Sequence, residues 1–364
     1  MTRAPKRRTL LQAALVGATG LLGKAQAAMK PMKITRVRFW EKPEAGPLFN
    51  QSAYIVTVET DAGITGIGEG GHADTVKQCA GLLIGEDPSR IEHLWQLMYR
   101  GYFYPAGREK IHALGALDLA LWDIKGKVLD VPLWQLIGGK SRDFVECYST
   151  GFPKQGSVEA TARACIQAGF RAFRTAPMGP EANWTTYDAR RSVQATLEHC
   201  KQVRKGVGAN GDWAIDYHTR LDFADAVRLS QLLEPLDPLF CEDLVRSENP
   251  DVYKTLRGQV KVPIAVGEQF GDKWDLNALV EQHLIDWSRV TIPNCGGITE
   301  MLKIAAMCET HYVGLIPHFT GPVAVASLAH LLTAYSGPAY MEMGGVGVEP
   351  APYLKRGYDF AKGR

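Results

Sequence analysis

The chain has 364 residues, 46% of them hydrophobic and 22% charged, with a formal net charge of +2. That balance supplies a large core and leaves no basic footprint of the kind that grips nucleic acid, so a nucleic-acid partner is excluded. The seven cysteines (Cys79, Cys147, Cys165, Cys200, Cys241, Cys295, Cys308) are odd in number and form no Cys-x-x-Cys. They argue against a disulfide framework or zinc site and for buried small hydrophobes.

In chain order, Lys6, Arg7 and Arg8 precede an apolar stretch from Leu10 to Leu22, followed by Ala25-Gln26-Ala27. This is the pattern of a signal peptide over residues 1–27, and the adjacent arginines indicate the twin-arginine route, so the expected location is the periplasm. The apolar run is too short and too interrupted by glycine for a membrane span, and no membrane partner is expected.

From Lys33 to Ile67 the pattern is strand-like. Tyr54–Glu59 alternates, meets Asp61-Ala62-Gly63, and resumes at Ile64-Thr65-Gly66-Ile67, which predicts a hairpin. Helical spacing follows over Val76–Leu83, Arg90–Met98 and Ile111–Val128, and Pro132 starts a short helix ending at Gly138-Gly139. Strands followed by grouped helices describe an α+β domain over 30–140. After residue 144 short apolar strands alternate with helices. The strands are read at Val145–Thr150, Arg171–Ala176, Trp213–His218, Leu239–Glu242, Ile264–Glu268, Ser288–Ile292, Val313–His318 and Ala339–Met343. Amphipathic segments such as Ser157–Ala168, Asp222–Leu233, Asp275–His283 and Ile298–Glu309 separate them. Parallel strands need crossover helices, so the pattern predicts a (β/α)7β TIM-type barrel over 145–343 under an N-terminal capping domain. An open doubly wound sheet is the alternative, but Thr150-Gly151-Phe152-Pro153 is no phosphate-binding turn.

Acidic residues close three successive strands. Asp216 and Glu242 are 26 residues apart, as are Glu242 and Glu268. Each interval is one βα unit, so the three converge at the C-terminal mouth, where most catalytic groups of barrels lie. Three neighbouring carboxylates repel unless a cation neutralises them, and an all-oxygen set suits Mg²⁺. A single acid at a strand end is as often a helix cap; three in register argue for the metal. His218, two residues past Asp216, and His318, ending the seventh strand, share this mouth. A lone strand-end histidine is usually structural, but beside a carboxylate-bound metal, acid–base work becomes the better reading. Of the other histidines, His72 after the hairpin is the one to watch.

The segments Asp216-Tyr217-His218-Thr219-Arg220, Phe240-Cys241-Glu242-Asp243, Val266-Gly267-Glu268 and Gly296-Gly297-Ile298-Thr299-Glu300 resemble the mandelate racemase group of the enolase superfamily, in particular its D-galactonate dehydratase-like enzymes. Leu83–Pro88 and Ala120–Lys127 agree, so the resemblance runs from about residue 32 to 343. It implies Mg²⁺ on Asp216, Glu242 and Glu268, His318 as base, His218 as acid, and Glu342 hydrogen-bonding the substrate carboxylate as it becomes an enediolate. A plain salt bridge is the competing role for Glu342. The implied reaction removes water from a sugar acid to give a 2-keto-3-deoxy acid, in a symmetric homo-oligomer.

Three departures stand out. Relatives with a histidine base pair it with an aspartate ending the sixth strand; here Thr291 holds that position, and Asp286 falls at the other end of the strand. Relatives with Lys-x-Lys on the second strand have Arg174 and Ala176 here, which disfavours a lysine base; Arg174 is left as a substrate-carboxylate ligand or a structural ion pair. The chain also stops at Arg364, where the family usually returns to the capping domain, so the 344–364 segment looks short. A cycloisomerase or epimerase working through the same enediolate, and a sugar-acid-binding pseudoenzyme, remain alternatives. Specificity is expected from the capping loops Glu41–Ser52 and Gly70–Thr75.

Overall fold

The computed structural model describes residues 31–41, 54–101, 103–178, 188–344 and 360–364. The signal-peptide reading and nearly all of the Glu41–Ser52 loop lie outside the described residues. The described chain opens with an antiparallel sheet of β1 (Ile34–Trp40), β2 (Ile55–Thr60) and β3 (Thr65–Glu69), in that order. Alternation in β2 buries Val56, Val58 and Thr60 on one face. Its turn into β3 needs Gly63 at φ 75°, in the left-handed region.

Four helices follow: α1 (Ala73–Ala80), α2 (Ile91–Arg100), α3 (Gly107–Leu129) and the short α4 (Leu133–Leu136). Every residue of α3 from Lys110 to Leu121 is buried. A helix buried all round must be enclosed on more than one side. One side is β3, where a Cβ on Gly68 would fall 1.8 Å from the Ala116 carbonyl oxygen. The other is the loop after the sixth barrel strand, where a Cβ on Gly115 would fall 1.9 Å from the Pro293 carbonyl oxygen.

The barrel strands are β4 (Cys147–Thr150), β5 (Ala172–Thr175), β6 (Asp212–Asp216), β7 (Phe240–Glu242), β8 (Ile264–Val266), β9 (Trp287–Ser288), β10 (Gly314–Leu315) and β11 (Met341–Gly344). Between them run α5 (Val158–Gln167), α6 (Ala189–Val207), α7 (Phe223–Leu233), α8 (Val252–Arg257), α9 (Lys273–Glu281), α10 (Ile298–Thr310) and α11 (Pro322–Ala334). All neighbouring strands pair in parallel, in the order β10-β9-β8-β7-β6-β5-β4-β11. The ring closes where the Leu315 amide donates to Pro338 and the Tyr340 amide donates to Leu315. The predicted barrel and cap are thus present.

The strands are shorter at the mouth than predicted. β8 stops at Val266, β9 at Ser288 and β10 at Leu315, so Glu268, Thr291 and His318 lie beyond the ladder, in the turns that lead outward to the helices. Apolar character continues there because those turns are buried between barrel and cap, which is why sequence pattern overextends them.

Inside the ring, Tyr148, Ala172, Ala214, Phe240, Ala265 and Ile316 form a small plug. A larger apolar cluster lies between the strands and the outer helices, and the cap has its own core around α3. All seven cysteines are buried and free, as expected. Among the described residues no helix is long and apolar enough to cross a membrane. Residues 360–364 pack beneath the barrel, where Gly363 accepts the Cys147 amide (2.8 Å) and Phe360 meets Phe170. These last residues therefore sit at the end opposite the mouth.

Cap and barrel are joined by buried polar contacts. Trp95 Nε1 donates to the Gly296 carbonyl (2.8 Å), Glu69 accepts the Val323 and Ala324 amides (2.8 and 2.9 Å), and Asp118 accepts the Thr299 amide and hydroxyl (3.0 and 2.5 Å). Burial raises the Asp118 carboxyl to about 7, although the Thr299 hydrogen bonds oppose the shift. An unfolded aspartate ionises near pH 4, so between about 4 and 7 the folded state binds the extra proton. Stability from this group therefore falls as pH rises through that window. We expect Asp118→Asn to lessen the loss of stability between pH 4.5 and 7.5 by on the order of a few kcal/mol. Urea midpoints at both pH values measure it; an identical pH slope in the variant would refute the assignment.

Candidate active site

Strand periodicity sets the inner layer of the mouth. Tyr148, Ala172, Ala214 and Phe240 face the barrel axis. Two residues on, Thr150, Arg174, Asp216 and Glu242 therefore face it too, one layer nearer the opening. Met341 and Met343 belong to the outer cluster, which turns the intervening Glu342 inward. Asp216, Glu242, Glu268 and Glu342 are all buried.

Two arginines bind this ring of acids together. Arg174 Nη1 lies 2.6 Å from Asp216 Oδ2 and 3.0 Å from Glu242 Oε2, and its Nη2 lies 3.3 Å from Glu342 Oε1. Arg174 Nε also donates to the Thr150 hydroxyl (2.9 Å), which donates onward to Glu342 (2.6 Å). Arg289 is fully buried and touches Glu242, Glu268 (3.2 Å), Glu342 (2.9 Å) and the Tyr148 hydroxyl. The sequence reading did not single out Arg289. Its signal was an arginine directly after a short barrel strand, a place where an unpaired charge is not tolerated.

Of the two roles left open for Arg174, the structure shows the ion pair: its contacts are to acids of the site. For Glu342, burial opposes ionisation, but Arg289, Arg174 and the Thr150 hydroxyl outweigh it and hold the carboxyl well below the usual range. Donating a hydrogen bond to a substrate carboxylate would require a protonated Glu342, which both arginines oppose. The salt-bridge role is the one the geometry favours.

The turns after β6 and β7 aim further groups inward. His218, Thr219 and Asp243 have φ of 50°, 54° and 45°, left-handed values uncommon outside glycine. His218 thus reaches the mouth through a turn and not by strand alternation from Asp216, as the sequence suggested. Its amide donates to Asp216 Oδ1 (2.6 Å), and its half-exposed ring places Nε2 3.7 Å from Glu268 Oε1. His318 Nε2 lies 3.4 Å from the other oxygen, Glu268 Oε2. One carboxylate therefore stands between the two histidines.

His318 is buried and stacked on Phe319. Burial pushes its pKa down, helped by Arg289 and Arg174 and resisted by Glu342 and Glu268, which favours the neutral imidazole. Its Nδ1 lies 3.4 Å from the Thr291 hydroxyl, placing Thr291 at the partner position that the sequence assigned to it. Asp286 is remote from this pair: it binds Arg257 (2.8 and 3.1 Å) and the Ile264 amide at the start of β8. His72 sits near His112, whose pKa is driven to about 4 by burial first and by His72 and Arg108 next.

The donor set fits a hard divalent cation. One carboxylate oxygen each from Asp216, Glu242 and Asp243 lies within 4.8 Å of the others. Glu268, the third of the strand-spaced acids, is not one of these three; its oxygens lie instead against His218, His318 and Arg289. Five acids against two arginines leave excess negative charge. Burial raises the Glu242 and Asp243 carboxyls well above the usual range, with repulsion from neighbouring acids adding to it. Such groups either hold protons or share a cation, and oxygen-only ligation suits Mg²⁺.

Comparison with known proteins agrees with this geometry. The profile of the mandelate racemase / muconate lactonizing enzyme N-terminal domain matches residues 42–138, and that of the enolase C-terminal domain-like family matches 157–359. A D-galactonate dehydratase of Cronobacter sakazakii is 37% identical over 82% of this chain and 78% of its own. One from Ralstonia pickettii is 35% identical over 91% and 87%. Among solved structures, an enolase superfamily member from Salmonella Typhimurium superposes with a TM-score of 0.80 at 26% identity, covering 86% of this chain and 87% of that one. An enolase from Agrobacterium radiobacter, described as a candidate galactarate dehydratase and bound to Na and L-malate, gives 0.79 at 28%, covering 91% and 89%.

The Thr291–His318 contact yields a pH prediction. A hydroxyl can orient the imidazole but cannot stabilise its positive charge, whereas a carboxylate raises its pKa. Thr291→Asp should therefore move the acid limb of the kcat/KM profile to higher pH, by about 1 unit. An unchanged profile in a folded, metal-loaded variant would show that residue 291 does not govern the base.

Proposed function

The chain belongs to the mandelate racemase / muconate lactonizing enzyme family of the enolase superfamily, and from that membership we propose that it dehydrates a sugar acid to a 2-keto-3-deoxy acid with Mg²⁺ as cofactor. The observation that carries the reading is a single buried carboxylate, Glu268, flanked by two histidines of different exposure inside a ring of acids. The D-galactonate dehydratases among its relatives support the choice of substrate class and reaction.

Asp216, Glu242 and Glu268 would hold the cation. When bound, it stabilises the negative charge that builds on the substrate carboxylate as the α-proton leaves, a role the handling of enolase-type reactions requires. The chain's own residues handle the protons. His318, kept neutral by burial, takes the α-proton at Nε2, while Thr291 steadies Nδ1. The electron pair of the broken Cα–H bond moves into the substrate carboxylate as an enediolate, then returns to form the Cα–Cβ double bond as the Cβ–O bond breaks. His218, half-exposed on the opposite side of Glu268, gives its proton to the departing hydroxyl. The resulting enol tautomerises to the 2-keto-3-deoxy acid. Arg174 and Arg289 bridge the acids through ion pairs and hold Glu342 ionised without taking part in proton transfer.

Thr291 at the partner position favours a second reading, epimerisation or cycloisomerisation through the same enediolate, because a weaker base suits a substrate with a more acidic α-proton. Product identity separates the two. We also infer export to the periplasm from the twin-arginine pattern of residues 1–27, and a homo-oligomeric assembly. Fractionation with and without Arg7→Lys/Arg8→Lys tests the first and light scattering the second.

Incubation with a panel of aldonic and aldaric acids should give a 2-keto-3-deoxy acid with at least one of them, lost in EDTA and restored by Mg²⁺ better than by Zn²⁺. Glu242→Gln should lower kcat at least about 100-fold, and full activity of that variant without divalent cation would sink the proposal. With the active substrate in D₂O, His318→Asn should stop α-proton exchange, whereas His218→Asn should slow dehydration and retain exchange. Wild-type exchange in His318→Asn would assign the base elsewhere.

A further inference from the structure

We propose that Asp243 is an additional ligand of the cation, giving the site a fourth carboxylate on the β7 side. The inference rests on the proposed cation site and extends it to a residue outside the three strand-spaced acids. In a continuing strand, alternation would turn Asp243 away from Glu242. The left-handed backbone at Asp243 breaks that alternation and folds its carboxylate back toward Asp216 and Glu242, with ligand oxygens of the three within 4.8 Å of each other.

Three features mark this carboxylate as aimed at a ligand. It is 2% exposed, so water does not serve it. Its Oδ2 has no hydrogen-bond partner among the described residues. Arg174 and Arg289 make their ion pairs with Asp216, Glu242, Glu268 and Glu342, and among the described residues neither pairs with Asp243. The Asp243 backbone is fully used, its amide donating to Ala265 and its carbonyl accepting the Thr219 amide, so the side chain is not needed to hold the turn. An ionised oxygen buried without a partner is unfavourable, and a cation shared with Asp216 and Glu242 is the partner this geometry can accept.

Mn²⁺ binding, followed by electron paramagnetic resonance of the free ion, reads the inference without any substrate. Wild type should bind one Mn²⁺, and Asp243→Asn, equal in size and lacking the charge, should bind it at least about tenfold more weakly. Equal affinity in a variant that melts cooperatively overturns the role of Asp243 and leaves the site itself standing. Failure of the wild type to bind Mn²⁺ overturns both. Should Asp243→Asn not fold, wild-type crystals soaked in Mn²⁺ decide the matter. An Asp243 oxygen about 2.1–2.5 Å from the ion supports the assignment, and a separation beyond about 3.5 Å overturns it.

Discussion

Closing a parallel sheet into a ring forces the inward side chains of one layer to face each other, and here that layer is made of acids. Asp216, Glu242 and Glu342 are buried in it, with Glu268 and Asp243 buried in the turns just beyond the strands. Ions of like sign cannot share so small and dry a volume without counter-charge, since each unpaired buried ion costs several kcal/mol. Arg174 and Arg289 supply part of that charge by bridging the acids in pairs. The same pair of arginines decides the state of the other groups. They hold Glu342 ionised and, together with burial, keep His318 neutral. Two arginines, with burial, thus set the protonation pattern of the acids and of His318.

The cap completes this arrangement from outside. The buried run of α3 lies against the loop that follows Thr291, and Glu69, the last residue of β3, caps the helix that begins four residues after His318. Thr291 and His318 are therefore held by turns whose far ends are anchored in the cap. Their 3.4 Å contact is set by two domains together, which explains how residues beyond the ends of their strands keep a defined geometry.

Much of this was legible in sequence because it follows from periodicity. The 26-residue spacing located Asp216, Glu242 and Glu268, and alternation into βα units predicted the barrel. Thr291 was given the position from which relatives pair the histidine base, and its contact with His318 is there. What periodicity could not show is what departs from it. His218 and Asp243 are aimed by left-handed turns, and nothing in Tyr217-His218-Thr219 or Glu242-Asp243-Leu244 signals a positive φ as a glycine would. Arg289 was overlooked because a basic residue near a strand is ordinarily read as surface. Its burial becomes intelligible only once the acids it bridges are known to surround it. Sequence left two roles open for Glu342 for the same reason, since its ion pairs depend on both arginines at once.

The seam between cap and barrel is close because glycines leave no side chain in the way. Gly115 leaves no side chain between α3 and the Pro293 carbonyl, and Gly297 and Gly321 leave none before Asp118 and Glu69. Contacts of this kind have no adjustable length. Substitution elsewhere in the cap can alter what it presents to the mouth but not the angle or distance at which it is presented. Such a scaffold fixes one docking geometry and leaves variation to the side chains hung upon it. Side chains around the mouth can then be exchanged one at a time, each change leaving the buried acids and histidines in register.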